Sequence, residues 1–103
     1  MKKVIDGKVY NTDTATKVAE WDNGRPYNDF NNVTETLYIT KKGNWFLHGE
    51  GGANSHYRKS NGNSSWGSSD IINKSGHEAY KWLEEHNKLE AIEKYFPEEI
   101  EEA

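Results

Sequence analysis

A hairpin that runs directly into a cluster of glycines constrains this chain more than any other feature. Thr34 to Thr40 is β-branched and aromatic, Lys41-Lys42-Gly43-Asn44 is a turn, and Trp45-Phe46-Leu47 is the returning arm. The arm then gives up its side chains at Gly49, Gly51 and Gly52, with His48 and Glu50 kept between them. A chain needs glycine at this density where its backbone takes a positive φ or where something approaches it closely. At least one of the three is therefore expected to have positive φ.

The rest of the chain must supply a core for that hairpin. Only 33% of the 103 residues are hydrophobic, but four Trp, six Tyr and three Phe bury large areas each. One domain spanning residues 1–103 is expected, with an acidic tail over 97–103. There is no cysteine, so disulfides and thiolate zinc sites are excluded, which suits a reducing cytoplasm. Neither a signal peptide nor a membrane span is legible.

Val4 to Tyr10 reads as a short hairpin turning at Asp6-Gly7. Asn11 to Trp21 reads as a helix, capped by Thr12 or Asp13, with Ala15, Val18, Ala19 and Trp21 inward. Asp22 to Asn32 is a loop. Ser55 to Lys59 reads as a strand, Ser60 to Ser65 as turns, and Trp66 to Ile72 as the last strand. Ser75-Gly76-His77-Glu78 has the form of a capping box, and Ala79, Trp82, Leu83 and His86 follow at helical spacing. Asn87 ends that helix. A second helix turns Leu89, Ile92, Tyr95 and Phe96 inward and stops at Pro97, with Ile100 as a last anchor. The expected fold is α+β: a small antiparallel sheet with an N-terminal helix and a C-terminal helical pair packed on one face.

Three groups of residues carry chemical meaning. His48 and Glu50, with His56 nearby, read as metal ligands or as a base and its orienter. Equally they read as a half-buried ring and a carboxylate that accepts backbone N–H bonds. The spacing matches no metal signature, so the structural reading is preferred, and neither a metal nor a cofactor is expected. Ser55, His56 and Asp70 lack the strand–turn–helix context of a nucleophile elbow. Lys41, Lys42, Arg58, Lys59 and Lys74 interleave with Trp45, Phe46, Tyr57 and Trp66, a mixture that suits single-stranded nucleic acid. It suits equally a core of rings with solvated cations beside it, and the low basicity favours that reading.

Charge is a further signal. Residues 78–103 hold three Lys and nine Glu, a net −6, which leaves +2 on residues 1–77 for the overall −4. Glu84, Glu85, Glu90 and Glu93 lie on the helical part of this segment. They read as a solvated helix face, or as a negative surface that competes with nucleic acid for a basic groove.

Several strings carry a family resemblance. Ile5-Asp6-Gly7-Lys8-Val9-Tyr10-Asn11-Thr12 with Thr14-Ala15 resembles the opening of small proteins carried on Gram-positive mobile elements and phages. Leu37-Tyr38 and Thr40 through Gly52 resemble their central string. Asp70-Ile71-Ile72 and Glu78-Ala79-Tyr80-Lys81-Trp82-Leu83-Glu84-Glu85 resemble their last strand and helix. Asn73-Lys74-Ser75 departs from the Pro-Leu-Thr-like lead into that helix but keeps the cap. Proteins of this look are similar to anti-CRISPR proteins that block type II Cas9 systems. The resemblance implies an inhibitor in the host bacterial cytoplasm that binds Cas9 or its guide RNA complex without turnover. It carries over no catalytic residue. The competing expectations are a nucleic-acid-binding module and a small metal-dependent nuclease built on His48, Glu50 and His56.

Overall fold

Asp6 and Gly7 both take positive φ, 51° and 76°, as a two-residue hairpin turn requires. The turn joins β1 (Lys2–Ile5) to β2 (Lys8–Asn11). A computed structural model describes residues 1–103. The remaining elements are β3 (Thr16–Asp22), β4 (Val33–Ile39), β5 (Trp45–Gly51), β6 (Lys59–Ser60), β7 (Ser65–Trp66), β8 (Ser68–Lys74), α1 (Gly76–Glu85), α2 (Leu89–Tyr95) and a 3₁₀ turn (Pro97–Glu99). The main sheet is antiparallel with strand order β3-β4-β5-β8. Two smaller hairpins stand beside it, β1-β2 and β6-β7.

The expected N-terminal helix over Asn11–Trp21 is absent. That segment is a turn followed by the edge strand β3. Asn11 holds the turn, its Oδ1 accepting from the Asp13 N–H at 2.9 Å and its carbonyl from the Ala15 N–H at 3.1 Å. The register between β3 and β4 slips between Lys17 and Ala19, so Val18 is an extra residue in the strand. This bulge interrupts the two-residue alternation, and Val18, Ala19 and Trp21 all pack against the same apolar cluster. A bulged strand thus imitates helical spacing in the sequence.

The sheet is covered on both faces by different elements. Leu37, Trp45 and Leu47 meet Ala79, Trp82 and Leu83 of α1 and Ile92 of α2. On the other face, Phe46 and Ile71 meet Tyr10 of the N-terminal hairpin. Phe46 lies edge-on to Tyr10 and parallel to Tyr38, with centroids 5.5 and 5.1 Å away. Leu37, Phe46, Ile71 and Leu83 are fully buried, each contributing roughly 1.5–3 kcal/mol of transfer free energy. Lys3 ties the hairpin to β8, bonding Asp70 at 2.8 Å and the Ile71 carbonyl at 3.2 Å. The helical pair therefore packs on one face and a hairpin occupies the other, so the expected small sheet with an N-terminal helix is corrected to a mostly β protein of three sheets whose helices all lie near the C-terminus.

The C-terminal segment follows its pattern. The Ser75 Oγ accepts from the Glu78 N–H, and Glu78 accepts from the Ser75 N–H, closing the capping box. Asn87, at φ 53°, turns the chain after α1. Ile92 is buried and Tyr95, Phe96 and Ile100 are half-buried, but Leu89, expected inward, is exposed. No helix is long and apolar enough to cross a membrane.

Candidate functional site

The hairpin does not break at the glycines. β5 runs through His48, Gly49 and Glu50 to Gly51, paired with β4 on one side and β8 on the other. Positive φ is not their reason: among glycines it occurs at Gly7, Gly24, Gly43 and Gly62. Close approach is the reason. A Cβ on Gly49 would lie 2.0 Å from Cζ and Oη of Tyr57. Gly51 and Gly52 are similarly crowded, by Ser55 and by the Asp29 and Phe30 carbonyls. The glycines let the loop 52–58 fold back over the sheet.

That loop delivers Tyr57 to Glu35. Glu35 is in phase with Val33, Leu37 and Ile39 along β4, so its carboxylate points toward the helices. One oxygen accepts the Tyr57 hydroxyl, and the other accepts Trp82 Nε1–H at 3.0 Å. His56 Nε2 lies 3.6 Å from the first. His86 stacks on Trp21 at 4.3 Å between centroids and lies edge-on to Trp82 at 4.7 Å. A strand, a loop and a helix are thus joined through one carboxylate.

Burial pushes the Glu35 carboxyl up, but the hydrogen bonds from Tyr57 and Trp82, with His56 nearby, more than offset it and hold the carboxyl below its ordinary value. Burial and the same carboxylate push the Tyr57 phenol up. Glu35 is therefore ionised at neutral pH with its acceptors occupied, and Tyr57 stays protonated. Such a pair is a strut, unsuited to proton transfer near pH 7. Burial also lowers His86 and keeps it neutral.

Both shifts predict acid lability. His86, ordinarily near 6.5, binds a proton more readily when unfolded, so stability falls as pH drops below that value. Glu35, ordinarily near 4.5, adds stability that is complete above that value and is lost as pH falls through its lower folded value. Melting temperature against pH should decline in these two windows. Glu35→Gln should make the lower decline shallower, the carboxyls of Asp29, Asp70 and Glu78, also held below their ordinary values, sustaining the remainder, and an unaltered profile would refute the strut.

The residues singled out in the sequence are dispersed. His48 and Glu50 alternate with Leu47 and Gly49 and lie on the Phe46 face, whereas His56 meets Glu35 on the other. No three His, Cys, Asp or Glu side chains converge as metal ligands would. Ser55 Oγ is engaged by the Gly52 carbonyl and the Tyr57 N–H, and Asp70 by Lys3. Lys41 and Lys42 occupy the β4–β5 turn, while Arg58 and Lys59 follow the loop beyond the far end of β5, roughly 20 Å away at the rise of a strand. Of the interleaved rings, Trp45, Phe46 and Tyr57 are core and Trp66 is exposed. Instead of a strand over Ser55–Lys59, only Lys59–Ser60 pairs, with Ser65–Trp66.

Glu84, Glu85, Glu90 and Glu93 are all exposed on α1 and α2. Glu84 accepts from the Tyr80 hydroxyl at 3.0 Å and lies 3.5 Å from Lys81. Glu85, Glu90 and Glu93 form no ion pair. The buried polar cluster escaped sequence reasoning, although one signal for it exists: Glu35 is a carboxylate in phase with the apolar residues of its strand. No family model, no curated protein and no solved structure matches the chain.

Proposed function

We propose that the protein is an anti-CRISPR-like inhibitor of a type II system that binds Cas9 or its guide complex through its acidic helices, without turnover. One observation carries this reading: the exposed carboxylates at the end of α1 and along α2, of which Glu85, Glu90 and Glu93 form no ion pair. The last turn of α1 contains Glu84 and Glu85 and no basic residue. Acidic groups there oppose the helix dipole, each at a cost of about 0.3–1 kcal/mol. Glu84 has Tyr80 and Lys81 to offset that cost, but Glu85 has no partner within the chain, and a basic groove on another protein would supply one. The resemblance of the central string and the last helix supplies the identity of that partner.

Replacing Glu84, Glu85, Glu90 and Glu93 together by Gln leaves the core unchanged. In a guided Cas9 cleavage assay this variant should associate about tenfold or more slowly and inhibit less, with the difference greatest at low salt. A nucleic-acid-binding module predicts instead that replacing Lys41, Lys42, Arg58 and Lys59 by Ala weakens the effect and the Gln set does not. Absence of inhibition by the wild type, at protein in excess over Cas9, would overturn the proposal.

A further inference from the structure

The loop 23–32, the end of β5 and the start of β8 enclose a groove of about 360 Å³, lined by Tyr27, Asn32, Glu50, Ser68, Ser69 and the glycine backbone. Its one charged group is the Glu50 carboxylate. Glu50 forms no ion pair or side-chain hydrogen bond and is only half-exposed. Asn32 is more than nine-tenths buried, and its Nδ2 donates to the carbonyls of Tyr27 and Asp29. That double donation fixes the amide orientation and leaves Oδ1 without a donor. No fully buried side-chain oxygen in the protein lacks a partner, so this one reaches the surface, and Asn32 meets the surface at the groove. Tyr27, at the rim, is 85% exposed, an unusual setting for an aromatic ring that has no packing role.

We infer that this groove binds the guanidinium of an arginine side chain presented by a protein partner. A carboxylate, a fixed amide oxygen and an open ring together are what such a group recognises. Guanidinium has five N–H donors in a plane and no acceptor, pairs with carboxylate in a fork, and stacks on aromatic faces. The neighbouring arginines of the chain do not compete for the site. Arg25 pairs with Asp29 at 3.4 Å, and Arg58 donates to the Ser55 carbonyl at 3.3 Å. The groove involves none of the acidic helix residues, so this inference stands or fails independently of the Cas9 reading.

The test is a titration of the ¹⁵N-labelled protein with a short peptide containing one arginine, followed by amide shifts. Parallel titrations use the same peptide with lysine and with uncharged citrulline. Saturable shifts at Gly51, Gly52, Gly67, Ser68 and Ser69 are expected with arginine. Glu50→Gln, an isosteric change, should weaken binding about tenfold or more. Tyr27→Ala, in an exposed loop, should weaken it about two- to fivefold. Non-saturable shifts, equal binding of the citrulline or lysine peptide, or unchanged affinity in both variants would overturn the assignment.

Discussion

Trp82→Ala should destabilise the protein by about 3–5 kcal/mol, the cost of truncating a large core ring. In a domain of this size that corresponds to a fall of about 12 °C or more in melting temperature. Trp82 belongs to the cluster of Leu37, Trp45, Leu47, Ala79, Leu83 and Ile92, and also donates to Glu35. Its removal opens a cavity and withdraws a hydrogen bond from a buried carboxylate. Trp82→Phe separates these effects: it keeps most of the ring and should cost about 1–3 kcal/mol through the lost N–H. A thermal melt unchanged by Trp82→Ala would contradict the placement of α1 on the sheet.

Gly49→Ala should cost about 3 kcal/mol, the upper range for overpacking. Its Cβ would lie 2.0 Å from the Tyr57 ring, and that ring is buried and bonded to Glu35. The ring cannot step aside without releasing the loop 52–58. A double-mutant cycle identifies the cause. With Tyr57→Ala already in place, Gly49→Ala should be close to neutral, giving a coupling near the 3 kcal/mol upper limit for contacting residues. Gly43→Ala is the contrast. It has open space around it and a φ of 88°, so only backbone strain of about 1–2 kcal/mol applies. Additive effects of Gly49→Ala and Tyr57→Ala in urea unfolding would show that the glycine serves some other purpose.

The two predictions converge on Glu35, and Glu35 shows how local and tertiary information divide in this protein. The Asp6-Gly7 turn, the Lys41–Asn44 turn and the Ser75 capping box were legible because each depends on a few adjacent residues. So did the inward set of α1, since Ala79, Trp82 and Leu83 repeat at helical spacing and all are buried. Leu89 failed the same logic. It opens α2 directly after the turn and stays exposed, although it borders the groove between α2 and β3.

What the sequence determined by itself, then, is the set of elements whose signals are short-range: turns, caps, the central hairpin and the C-terminal helices. Tertiary structure alone decided the rest. The bulge at Val18 turned an apparent helix into a strand, because pairing with β4 satisfies the backbone of 16–22 while the extra residue keeps its apolar side chains on the covered face. Tyr57 reaches Glu35 across 22 residues, and its ring fills the space above Gly49 on the way, which is why residue 49 is glycine. Contact across 47 residues gives Glu35 its second donor, Trp82. No periodicity encodes such meetings. They arise when separate elements close over one another, and a buried carboxylate persists only where donors from those elements converge to satisfy it.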